Sequence, residues 1–166
     1  MKKIMILLAV LGMFIFQGCT GPEGPQGPQG NDGVIGEVIE ITGVSFTTEN
    51  NFSIVKTFAP IYDSDMILVY RLSGVSNKVD MWSLVPETHY FPDGTRNFNY
   101  DFEFTKSSVN IFMGGSNLGT VSTDYRLNQV FRIVTVPANF AVDKNNYNAV
   151  MSTLKISESQ IQKIDL

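Results

Sequence analysis

Glycine occupies every third position from Gly21 to Gly36. The six triplets read Gly21-Pro22-Glu23, Gly24-Pro25-Gln26, Gly27-Pro28-Gln29, Gly30-Asn31-Asp32, Gly33-Val34-Ile35 and Gly36-Glu37-Val38. A period of three matches neither the 3.6-residue repeat of an α-helix nor the two-residue repeat of a strand. Pro22, Pro25 and Pro28 also remove backbone donors that a helix or a sheet would need. An extended polyproline II backbone is what this pattern accommodates. The stretch separates an apolar beginning from a β-patterned remainder. We therefore expect three parts, at residues 1–18, 19–38 and 39–166.

The beginning reads as an export segment. Met1-Lys2-Lys3 is a short positive head, and Ile4 to Phe16 is a run of thirteen almost wholly apolar residues. Thirteen is short of the roughly 20 needed to span a bilayer and fits the core of a secretory signal. Gln17-Gly18-Cys19 follows. This ending resembles the lipobox of bacterial lipoproteins, although Phe16 stands where that motif usually has Leu. The resemblance implies cleavage after Gly18 and a covalent lipid on Cys19, with no other cofactor. A buried structural thiol is a poor alternative, because Cys19 sits between a leader and a Gly-Pro tract. Two or three acyl chains, at about 0.8 kcal/mol per buried methylene, make a stable anchor.

Only glycine fits at the axis of a collagen triple helix, so Gly21, Gly24, Gly27, Gly30, Gly33 and Gly36 are collagen-like in spacing. Two outcomes stay open: a homotrimer through this tract, or a single extended spacer. The spacer is the preferred reading, since so short a triple helix needs a trimerising domain to hold it.

Composition narrows the partners. The chain has 12 basic and 16 acidic side chains, and removal of Lys2 and Lys3 leaves 10 against 16, a net charge of −6. The basic residues form no run, so nucleic acid is not an expected partner. One cysteine forms no intrachain disulfide, and one histidine builds no His-rich metal site.

From Glu37 onward, short β runs alternate with turn residues, the pattern of an all-β, antiparallel sandwich-like domain. Val38 to Phe46 predicts a first strand bent at Gly43. Strands are also expected at 52–58, 66–72, 79–85, 88–91, 98–104, 109–113 and 130–136. Met66 to Leu72 is the most continuous apolar run of the chain and should be covered on both faces. Phe98, Tyr100, Phe102 and Phe104 alternate with Asn99, Asp101 and Glu103, so the aromatics should face the core. Residues 114–128 read as a long surface loop. Asn145-Asn146 should cap one short helix at Tyr147–Leu154, with Ala149, Val150 and Leu154 inward. Residues 161–166 form an edge strand or fray. The count is seven or eight strands and one helix.

Candidate sites are few. Asp63-x-Asp65 lacks the rest of a calcium loop and reads as an Asx turn, as does Asp93-Gly94. No Gly-x-Ser-x-Gly elbow occurs, and Gly114-Gly115 lacks the setting of a phosphate loop. Asp101 and Glu103 share one solvated face; other carboxylates could converge only through the fold, which leaves a hydrolase as the weakest reading. Arg132 lies inside an apolar strand and should pair with Asp101 or Glu103. His89 reads as a half-buried strand residue. Trp82, His89, Tyr90 and Phe91 are candidates for ligand binding. No catalytic or metal-ligating residue is assigned.

Trp82-Ser83-Leu84-Val85-Pro86, Tyr90-Phe91-x-Asp93-Gly94, Phe98 to Phe102, Gln129 to Val134, Pro137-Ala138 and Tyr147 to Met151 resemble blocks of small collagen-like lipoproteins of Bacteroidota. The resemblance implies a lipidated Cys followed by a Gly-X-Y tract and a β-rich domain of unestablished activity, with no catalytic residues to carry over. The expected function is a lipid-anchored envelope or cell-surface protein with a structural or adhesion-like role, not an enzyme. The alternative is a carbohydrate- or peptide-binding module on the tether. Its expected partners are the membrane and a surface protein or glycan. Thr20 after Cys19 favours the outer membrane, and Glu23 is a faint acidic export cue.

Overall fold

Among the described residues, nine strands pair into two sheets. The computed structural model describes residues 36–166, so Cys19 and the first five triplets lie outside the described residues. The strands are β1 (Val38–Val44), β2 (Ser53–Thr57), β3 (Met66–Ser76), β4 (Val79–Leu84), β5 (Glu87–Tyr90), β6 (Arg96–Phe104), β7 (Ser108–Gly115), β8 (Gln129–Val136) and β9 (Gln162–Asp165). Helix α1 (Thr123–Arg126) precedes β8, and α2 (Tyr147–Leu154) follows it. One sheet has the order β4-β3-β8-β1-β9 and the other β2-β7-β6-β5. The fold is mostly β, as expected.

The sheets face each other across a common core. Ile39 and Ile41 of β1, Ile67 and Val69 of β3, and Phe131 and Ile133 of β8 meet Phe98 and Tyr100 of β6 and Val109 and Ile111 of β7. Each such side chain removed from water contributes about 1.5–3 kcal/mol before entropy is subtracted. The aromatic row of β6 enters this core only in its first half. Phe98 and Tyr100 are buried, Phe102 is half-buried and Phe104 is exposed.

β3 is covered on both faces, as its largely apolar run from Met66 to Leu72 predicts. Its Leu68 and Tyr70 look away from the opposing sheet and join Val134 and Val136 of β8 under α2, where Tyr147, Val150 and Met151 close a second core. Asn146 caps α2 by accepting the Ala149 N–H at 3.0 Å, as its place in the sequence predicts.

Several expectations need correction. Six pairings are antiparallel, but β9 runs parallel to β1, so the fold is not purely antiparallel. Residues 114–128 are not a plain loop. They hold the end of β7, a 3-10 turn at Leu118–Thr120 and α1, so the described residues hold two α-helices where one was expected. Val121 is buried in the intersheet core, and the Tyr100 hydroxyl donates to the Tyr125 carbonyl, which explains why a polar stretch is ordered.

Residues just ahead of the expected boundary at residue 39 also pack against the sheet. Gly36 is buried, and a Cβ there would lie 2.7 Å from Leu154 Cδ2 and 2.9 Å from the Thr135 carbonyl. The Glu37 carbonyl accepts the Thr135 N–H, and Val38 pairs with Val134. The sixth triplet therefore belongs to the folded unit, which leaves at most five for a collagen-like segment. Gly43 bends β1 as expected, with φ +70° and a register break between Ile41 and Val44.

Candidate functional site

The outer face of the five-stranded sheet carries a buried guanidinium. Tyr70 and Arg132 are cross-strand partners, as are Glu40 and Arg132, so all three side chains share that face. Arg132 is 1% exposed and Glu40 6%. Arg132 Nε donates to Glu40 Oε2 at 2.8 Å, and its two terminal nitrogens grip Glu158 at 2.8 and 2.7 Å. A further N–H reaches the Tyr147 hydroxyl. Lys163 Nζ lies 3.0 Å from the second Glu40 oxygen. Burial alone would lower the pKa of Arg132, but the hydrogen bonds it donates to Glu158, Glu40 and Tyr147 outweigh it, and the guanidinium is held more firmly charged than usual. Burial would raise the pKa of Glu40; its bonds to Lys163 and Arg132 reverse that and hold it below its ordinary value. The expected pairing of Arg132 with Asp101 or Glu103 is wrong. Those acids lie on the other sheet, where Asp101 accepts the Phe102 N–H and Glu103 accepts from Asn110.

This node fixes an aromatic pair. The Arg132 guanidinium carbon stands 4.2 Å from the Trp82 ring centroid, a cation–π distance. Trp82 and Tyr147 lie 5.5 Å apart, and Tyr147 meets Tyr70 edge-on at 5.1 Å. The Tyr70 hydroxyl donates to the Lys144 carbonyl at 2.6 Å, pinning the loop before α2. Burial raises the pKa of both phenols, so they remain neutral.

Beside this pair an open cleft of about 480 Å³ runs between β4 and the start of α2. Asp80 and Trp82 form one side, and Asp143, Asn145, Asn146 and Asn148 line the other. Asp143 is committed to its turn, since Oδ1 accepts the Asn145 N–H at 3.0 Å and the Asn145 amide at 3.2 Å. Asn146 Oδ1 is committed to the helix cap. Among the described residues, the side chains of Asp80 and Asn148 make no hydrogen bond, so both are free for a ligand.

A second charged node lies between the sheets. Arg71 of β3 grips Glu87 of β5 through two bonds of 2.8 Å and lies 4.9 Å from the Tyr100 ring centroid. His89 stacks on Phe98 at 4.4 Å, and its Nε2 lies 3.0 Å from Glu87 Oε1 without the alignment of a hydrogen bond. Burial is the main reason that the His89 pKa falls below 6.5, and Arg71 adds to the fall against the pull of Glu87. Burial would raise Glu87, but its bonds and charge contact with Arg71 hold it below 4.5.

The four aromatic candidates therefore do not form one site. Trp82 lies on the outer face of one sheet, while His89 packs between the sheets. Tyr90 and Phe91 are exposed side by side at the end of β5, at 64% and 48%. Asp65 accepts the Tyr62 N–H, and Asp93 accepts from Thr95, so both sequences are turns. Sequence reasoning missed Asp80 and the asparagines as cleft residues, having read Asn145-Asn146 only as a cap. The Arg132–Glu40 pair did leave a signal, one charge inside each of two apolar strands that turn out to be neighbours.

No protein-family model, curated protein or solved structure matches the chain.

Proposed function

We propose that this chain is a lipid-anchored envelope protein with a binding or adhesion-like role rather than an enzyme. The observation that carries the reading is Cys19 itself, placed directly after a thirteen-residue apolar run and directly before a Gly-Pro tract. Lipid on Cys19 would hold the domain at a membrane, with the outer membrane as the favoured address. The seventeen residue steps from Cys19 to Gly36 give the domain a reach of no more than roughly 60 Å. The two facing sheets are read as a β-sandwich, and the collagen-like lipoproteins of Bacteroidota are the proposed relatives.

The test is expression in a host with intact lipoprotein processing, with a clickable fatty acid in the medium. Wild type should carry the label and sediment with membranes, and Cys19→Ala should lose both properties. Unlabelled, soluble wild-type protein would overturn the anchor. Release of reducing ends from a neutral polysaccharide would overturn the non-catalytic part. Protease treatment of intact cells then reports which side of the membrane the domain faces.

A further inference from the structure

We infer that the cleft between β4 and the start of α2 is a binding site for a neutral glycan, with Trp82 as its aromatic wall and Asp80 and Asn148 as its polar contacts. This rests on the display reading for its setting, but not for its chemistry.

Four observations carry it. Trp82 is half-buried and lines the cleft, while Arg132 stands 4.2 Å from its ring centroid and Tyr147 packs beside it at 5.5 Å. The indole is thus held in one orientation before any ligand arrives, which lowers the cost of binding. An indole offers a broad apolar surface on which the C–H face of a sugar ring can rest. Because Arg132 already draws on the π-density of this ring, the wall is poorly suited to a second cation and well suited to a neutral apolar face.

The polar groups point to the same ligand class. Carboxamides supply both donors and acceptors, and a carboxylate supplies acceptors, which together match hydroxyls that donate and accept. Asn148 and Asp80 keep this capacity unspent. The charge balance excludes acidic sugars: Asp80 and Asp143 both line the cleft, and among the described residues no Lys, Arg or His does. The cleft is also open to solvent rather than enclosed. A peptide added to the free edge of β4 is the competing occupant, since Val79 and Met81 are exposed there. Lys78 and Asp80 flank that edge and Pro86 follows it, devices that keep an edge strand from pairing.

Trp82 is the single tryptophan of the chain, so its fluorescence reports this cleft alone. The experiment uses the purified full-length mature chain in detergent. Affinity electrophoresis is run through gels containing a neutral glucan, mannan or xylan, with polyuronate as the acidic control. The soluble oligosaccharides of any retarding polymer are then titrated against Trp82 emission. The expected result is retardation by at least one neutral polymer and none by polyuronate, with a saturable change in emission. The double variant Asp80→Ala/Asn148→Ala should bind about tenfold or more weakly, from the loss of two hydrogen bonds. Its thermal midpoint should be unchanged, because both side chains are unbonded in the fold. Trp82→Ala is a poor sole test, since it also uncovers Arg132. No retardation by any neutral polymer, equal retardation of the double variant, or preference for polyuronate each overturns the proposal. So does saturation of the Trp82 signal by an extended peptide in place of a sugar. A soluble, unlabelled protein that still binds would sink the anchor and leave this inference standing.

Discussion

At the scale of single residues, two arginines join the layers of the molecule. Arg132 ties the five-stranded sheet to α2 and the C-terminal segment, and Arg71 ties the two sheets together through Glu87. A buried pair adds little over a well-packed apolar pair, but removing one partner strands the other charge. We expect Arg132→Met to lose about 3–5 kcal/mol in urea unfolding, because Glu40 stays buried. Glu158→Gln should cost less than about 1 kcal/mol, since Glu158 is 68% exposed. Equal losses would mean that Glu40 is not the stranded partner. The intersheet node sets a pH dependence. The His89 pKa is lowered on folding, so the unfolded chain binds the proton more readily, and stability is lost as pH falls below 6.5. Glu87 and Glu40 are also lowered, and their contribution is lost as pH falls below 4.5. Urea midpoints stepped downward from neutral pH should therefore decline in two stages. His89→Phe, which keeps a ring on Phe98, should abolish only the first. A midpoint flat down to the carboxylate range would contradict the assignment.

At the scale of elements, the sequence was most readable where one local rule acted alone. α2 starts where Asn146 caps it, β1 bends where Gly43 permits a positive φ, and β3 is doubly buried along its apolar stretch from Ile67 to Tyr70. It was least readable where a distant contact overrode the local pattern. Residues 114–128 look like a loop, yet Val121 is drawn into a core built by other strands. The sixth triplet looks collagen-like, yet Thr135 and Leu154 close over Gly36. Gly36→Ala should accordingly destabilise the domain by about 1–3 kcal/mol through overpacking, while Gly27→Ala changes the thermal midpoint hardly at all. Equal tolerance at both glycines would return Gly36 to the tether. Asn146→Ala should cost about 1 kcal/mol in the same assay.

At the scale of the whole molecule, the five triplets that precede Gly36 in the sequence bear on assembly. Fifteen residues with proline in only three triplets make a weak triple helix, so the unlipidated chain from Thr20 should sediment as a monomer and lack a triple-helix melting signal in circular dichroism. A trimer mass at micromolar concentration would overturn the spacer reading. The sequence by itself determined the kind of layer each segment could join, because side-chain period and turn chemistry are local. It also singled out Cys19 from its neighbours alone. Only the tertiary structure decided which charges meet, since Glu40, Arg132 and Glu158 lie far apart in the chain and are joined by strand register and the return of the C-terminal segment. The same holds for the cleft. Trp82 and Asn148 are separated by 66 positions, and nothing local to either says that the edge of a sheet and the start of a helix will face each other across it.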